Sequence, residues 1–243
     1  MNYLIILNYL IILLSQILVV YGFYFPISMI NPILSGSQLV TAKIGKNLLE
    51  NSNLNSNTTR KIIHITTAPS FISTWGLYQD NHHPEIWAAL VPIFASLYII
   101  NKKDNIVEII SRSGKTEEIF KGPLIYTSVL SCLTLSYWKD NPIGIIAILQ
   151  LAIGDGFADL IGRKFGKTKW PHNNKKSIEG SIGYFLTSLI GTQIMVNNFY
   201  HYDYNIYKIL IISLISSLIE TFSKIDDNLS IPISVIYLDS LLN

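Results

Sequence analysis

The sequence predicts an all-α fold: a polytopic membrane helical bundle of about seven to eight transmembrane helices. Composition is the first reason. Of 243 residues 49% are apolar and 14% charged, and the mean hydropathy is +0.37, too apolar for an ordinary soluble domain. The second is repetition, because apolar runs recur at 3–23, 62–79, 86–100, 122–138, 142–161, 180–197, 205–222 and 229–242. Most approach the ~20 residues that cross a hydrocarbon core. The third is charge: every one of the 18 Lys and Arg residues except Lys139 and Lys208 falls in alternate connections, on one side of such a bundle.

Taken in order, the first run has no basic flank and no small-residue cleavage site, so it reads as a retained first helix. The stretch 24–42, with Pro26 and Pro32, has room for a partial span, and NSNLNSN at 51–57 is a polar linker. These features divide the chain into residues 1–59, an N-terminal helix and linker, and residues 60–243, a membrane domain. The runs at 86–100 and 229–242 are short, and Pro232 and Asp239 mark the last as re-entrant or incomplete. Cys132, the sole cysteine, sits inside a run, which excludes an intramolecular disulfide and a cysteine metal cluster.

By the positive-inside rule the basic side is cytoplasmic. Nucleic acid is excluded as a partner, since the basic residues lie in loops tied to membrane helices and no nucleic-acid module is present. The sequons at Asn57 and Asn228 fall on that same side and are expected to stay unmodified. His82 and His83 lie on the opposite face beside Pro84 and read as loop residues.

Chemistry concentrates in GDGFADLIGRKFG at 154–166, at the end of an apolar run. A carboxylate at bilayer depth costs roughly 2.5–3.5 kcal/mol, less near a helix end. Asp155 and Asp159 are four apart, so on a helix they share a face and repel unless a cation lies between them. A Mg²⁺ that also holds phosphate oxygens relieves that repulsion. The competing reading pairs Asp159 with Arg163 and makes Asp155 a helix cap. Gly154, Gly156 and Gly162 allow close backbone approach, and Arg163, Lys164, Lys175 and Lys176 supply positive charge for an anion.

Four other polar motifs sit at helix ends on the same face: RKIIH at 60–64, SRSGKTEEIFKGPLIY at 111–126, NKKSIEGS at 174–181 and ETFSKIDDN at 220–228. SGKT at 113–116 is not a P-loop, because position 109 is Ile rather than Gly and no strand precedes it. Arg60, Lys61 and His64 open one run; a lone His there is as often a hydrogen-bonded structural residue as a site residue. Glu179 either caps a helix through the dipole or belongs to the site. Glu220, at the end of an apolar run, is harder to assign to a solvated turn than Asp226 and Asp227.

In this order and spacing the five motifs resemble the signature set of the polyprenol kinase family, the phytol, farnesol and dolichol kinases, over roughly residues 60–235. The chain is most similar to the short phytol and farnesol kinases. The resemblance implies transfer of the terminal phosphate of CTP, arriving from the cytoplasm, to an isoprenoid alcohol held in the bilayer, with Mg²⁺ as cofactor. It implies Asp155 and Asp159 at the metal and triphosphate, with Arg163, Lys175 and Lys176 neutralising phosphate. Arg112 and Lys121 would close over it, and Glu220 and Asp227 complete an acidic wall. The absence of a transit-peptide pattern points to the endoplasmic reticulum. Two other classes compete: CTP-dependent cytidylyl transfer to a lipid phosphate, and lipid or ion transport. Transport predicts polar residues at mid-membrane and internal repeats, whereas here the polar residues gather at one face.

Overall fold

The computed structural model describes residues 56–78, 83–101 and 122–243. Within them the architecture is all-α with one short hairpin. The helices are α1 (Ser56–Ser73), α2 (Pro84–Asn101), α3 (Pro123–Ser136), α4 (Pro142–Leu149), α5 (Gly156–Phe165), α6 (Ile178–Gln193), α7 (Ile206–Phe222) and α8 (Asp227–Leu242). A π-helical turn, Gln150–Asp155, joins α4 to α5 as one rod, and another, Ile194–Phe199, extends α6. Strands β1 (Lys169–Trp170) and β2 (Asn173–Ser177) pair antiparallel between α5 and α6.

The helix starts follow local chemistry. Pro84, Pro123 and Pro142 each open a helix, where a missing N–H costs nothing and φ is already set. Asn141, Ser177, Asn205 and Asp226 are N-caps whose side chains accept a backbone N–H from the first turn. The last run forms one continuous helix over Asp227–Leu242, 16 residues and so short of the ~20 that cross a hydrocarbon core, as its sequence led us to expect. Pro232 lies inside it and leaves the helix unbroken, while Asp239 is satisfied by the Tyr204 hydroxyl.

α4 is buried from Ile143 to Leu149 on every side, the pattern of a central helix. Among the described residues, Pro142–Phe165 is the one helix long and apolar enough to cross a membrane: 24 residues with a hydropathy of 1.7. The buried faces of α6 and α7 mix small and polar residues, Gly183, Ser188, Thr192, Ser213, Ser216 and Ser217, with the large side chains of Tyr184, Ile209 and Ile212. Their outer faces carry exposed stripes four residues apart, Ile182–Leu186–Ile190 and Leu210–Leu214–Leu218. Inside, Gln150 donates to Ser213 at 2.7 Å and Thr192 at 3.2 Å, tying the π-turn to both helices.

Candidate active site

One end of the bundle collects the charged side chains. Asp155 closes the π-turn and is 8% exposed; its Oδ2 accepts from Lys61 Nζ of α1 at 2.6 Å. His64, one turn further along α1, stands with Nε2 at 3.6 Å from the same oxygen. Its ring lies 4.1 Å from that of Tyr126, whose hydroxyl donates to the His64 carbonyl.

From the other side β2 sends in Lys176. Its ammonium donates to Glu220 Oε1 of α7 and, at 3.1 Å, to Asp227 Oδ2 at the start of α8. Burial opposes the charge on Lys176, but Glu220, Asp227 and Asp155 outweigh it and hold the ammonium above the ordinary lysine range. Ligand oxygens of Asp155, Glu220 and Asp227 lie within 4.8 Å of one another. Three carboxylates this close repel strongly without counter-charge, and the two lysines supply it. Such an acidic donor set is also what a hard divalent cation takes, with phosphate oxygens and water completing its shell.

The hairpin that aims Lys176 is pinned to the bundle. Trp170 Nε1 donates to Ser181 Oγ at 3.0 Å, and Asn173 Nδ2 to the Thr221 carbonyl at 3.3 Å. Glu179 accepts the backbone N–H groups of Lys167 and Thr168, fixing the turn that enters the hairpin; the N-cap of α6 is Ser177.

Of the sequence-derived candidates, the structure thus brings together Lys61, His64, Asp155, Lys176, Glu220 and Asp227. Asp159 Oδ1 accepts from Arg163 Nε at 2.9 Å along α5. Asp155 makes no cap hydrogen bond. Gly154 and Gly156 flank Asp155 but face protein: a Cβ at 154 would sit 2.5 Å from Tyr184 Cζ, and one at 156 would collide with Ile65. Lys175 is exposed on the hairpin, and Arg60 is half-buried on α1. Arg112 and Lys121 lie outside the described residues. The grouping of Asp155 with Glu220 and Asp227 is the acidic wall that the resemblance implied, whereas the ion pair of Asp159 runs to Arg163. The polar position of Glu220 at the end of an apolar run was the available signal.

A profile of the cytidylyltransferase family matches residues 4–224, most of the chain. The chain belongs to the cytidylyltransferase family. Relatives of this cytidylyltransferase-family chain include a probable phytol kinase, chloroplastic, of Triticum aestivum, 31% identical over 75% of this chain and 66% of the relative. Phytol kinase 1, chloroplastic, of Arabidopsis thaliana is 30% identical over 73% of this chain and 64% of its own length. Farnesol kinase, chloroplastic, of the same plant is 33% identical over 72% and 62%. The chain therefore spans slightly under two thirds of the length of these relatives. The polyprenol kinase resemblance read from the five motifs agrees with them. The endoplasmic reticulum finds no support there, since these relatives are named as chloroplastic. No solved structure matches the chain.

Proposed function

We propose that this chain is an integral membrane kinase that moves the terminal phosphate of CTP onto the primary hydroxyl of an isoprenoid alcohol of the phytol, farnesol or geranylgeraniol class. One observation carries the reading: three carboxylates and two lysines from five separate elements converge at one end of a bundle whose outer faces are apolar. A bilayer-dissolved alcohol and a water-borne nucleotide can meet only at such a boundary. The exposed apolar stripes on α6 and α7, over buried faces rich in Gly, Ser and Thr, support several spans. The relatives' names favour a plastid membrane, with the basic loops on the nucleotide side.

In this reading Asp155, Glu220 and Asp227 would hold Mg²⁺, which when bound would supply charge neutralisation at the triphosphate. Lys61 and Lys176 turn from carboxylate to phosphate oxygens, and Arg163 and Lys175 extend the positive surface. Pinning of the hairpin to Ser181 and Thr221 sets the reach of Lys176. The alcohol oxygen forms a bond to the γ-phosphorus as the bond from that phosphorus to the β-bridging oxygen breaks. CDP leaves, and the hydroxyl proton passes to a carboxylate oxygen of the cluster.

The family profile favours a second reading, cytidylyl transfer to a lipid phosphate with release of pyrophosphate. Membranes bearing the protein, given Mg²⁺, prenyl alcohols and γ-labelled CTP, separate the two. Label in a lipid monophosphate that is absent with Asp155→Asn supports the kinase. Lipid label only from α-labelled CTP with a lipid phosphate acceptor overturns it in favour of cytidylyl transfer.

A further inference from the structure

A line of hydrogen bonds runs from the hairpin into the acidic cluster. Trp170 Nε1 stands 3.0 Å from Ser181 Oγ, Ser181 Oγ 2.8 Å from Thr221 Oγ1, and Thr221 Oγ1 3.4 Å from Glu220 Oε2. Its direction follows from the first member, because an indole N–H donates and never accepts. Ser181 Oγ accepts that bond, and its own hydrogen has two acceptors, Thr221 Oγ1 and the more distant Ser177 carbonyl at 3.3 Å. With Thr221 accepting from Ser181, the Thr221 hydrogen turns to the other side. There it meets the Ser217 carbonyl at 2.9 Å and Glu220 Oε2. Ser181, Thr221 and Glu220 are all buried, a setting in which hydrogen bonds in a row polarise one another.

Glu220 is therefore held on both oxygens by one hairpin. Oε1 accepts from Lys176 of β2 directly, and Oε2 is reached from Trp170 of β1 through Ser181 and Thr221. The two grips differ in kind. An ammonium among carboxylates gives way when a divalent cation brings more charge, whereas neutral hydroxyls fixed in α6 and α7 have no reason to leave. We infer that Thr221, backed by Ser181 and Trp170, is a positioning residue: its hydroxyl keeps Glu220 Oε2 in place so that Oε1, released by Lys176, ligates a divalent cation. The inference rests on the metal-site reading above. Once Lys176 leaves, Glu220 is the stronger of the two acceptors open to Thr221, because a carboxylate draws a donor more than a carbonyl does. Carboxylates that ligate metals are themselves hydrogen-bonded, and those outer partners tune affinity. Anchoring of the hairpin does not depend on this line: Asn173 Nδ2 donates to the Thr221 carbonyl, and the Ile178 N–H to the Thr168 carbonyl at 2.9 Å.

Thr221→Val keeps the branched shape and deletes the hydroxyl, whereas Thr221→Ser keeps the hydroxyl. In the full chain in lipid nanodiscs, titration with Mn²⁺ is followed by the free-ion electron paramagnetic resonance signal. Binding is expected to weaken about 10–100-fold in Thr221→Val and to stay close to wild type in Thr221→Ser. Trp170→Phe retains an aromatic ring on the hairpin and removes the donor; it is expected to weaken Mn²⁺ in the same direction, by less. Thr187→Val is the matched change on α6, where the hydroxyl bonds the Gly183 carbonyl of its own helix at 2.7 Å, and should bind as wild type does. Wild-type Mn²⁺ affinity in Thr221→Val, or in Trp170→Phe where Thr221→Val fails to fold, overturns the positioning role while leaving the metal site standing. Thr221→Ser as weak as Thr221→Val overturns it equally, since bulk and not the hydroxyl would then matter. Absence of Mn²⁺ binding in wild type overturns the metal site itself, and the inference with it.

Discussion

The two ends of the bundle are built on different principles. At one, an ion pair ties Lys61 of α1 to Asp155 of the π-turn, and Lys176 of β2 pairs with Glu220 of α7 and Asp227 of α8. At the other, Trp75 stacks on Trp138 with centroids 4.9 Å apart, and Tyr78 meets Trp138 edge-on at 5.8 Å. There Tyr200 and Tyr202 donate to the carbonyls of Ile72 and Lys139, and Lys139 Nζ donates to that of Tyr78. The aromatic end satisfies backbone groups at helix termini, bonds with no reason to exchange. The charged end pairs side chains with side chains, each of which can trade its partner for a cation or an anion. Buried ion pairs add little net stability over apolar packing, so stability resides at the aromatic end and chemistry at the other.

Substitutions at each end should separate these roles. Asp155→Asn is expected to lower prenyl-alcohol phosphorylation by about 10³-fold or more, the scale of losing a key electrostatic group, in the labelled-CTP assay. It also strands buried Lys61, at about 3–5 kcal/mol. Adding Lys61→Met should recover unfolding stability and no turnover; recovered turnover would break the comparison. Trp75→Ala at the other end should cost about 3–5 kcal/mol in denaturant unfolding while leaving Mn²⁺ affinity as in wild type. Asp159→Asn removes an exposed i,i+4 pair worth about 0.3–0.5 kcal/mol, and near-wild-type turnover is expected. Loss of turnover as deep as with Asp155→Asn would return Asp159 to the catalytic group.

The smallest effect is alkaline. Lys176 titrates above its ordinary range, so its contribution is full below the unfolded lysine value of about 10.4 and disappears as pH rises through the folded value. Stability through Lys176 should therefore stay level between about pH 7 and 9.5 and decline only beyond. In an alkaline unfolding titration, Lys176→Met should lack that late decline.

Much of this was legible in the sequence. Prolines at 84, 123 and 142 and caps at 141, 177, 205 and 226 mark helix starts locally, which is why the described helices track the apolar runs. Local signals failed where a distant partner decides. α1 is already helical at Ser56, ahead of the apolar run, and its Thr59 and Lys61 are buried, the latter against Asp155 from 94 residues away. Ordinary helical spacing put Asp155 and Asp159 on one face. The structure gives them different partners, one across the bundle and one within α5.

The π-turn at Gln150–Asp155 is the place along the central rod where chain length can change without moving the site. A π-turn takes up one residue more than regular winding holds, so the helices on either side keep their facing. Deleting one residue between 150 and 155 is taken up as regular α-helix. The same deletion inside α4 would turn everything beyond it by about 100° and carry Asp155 off Lys61.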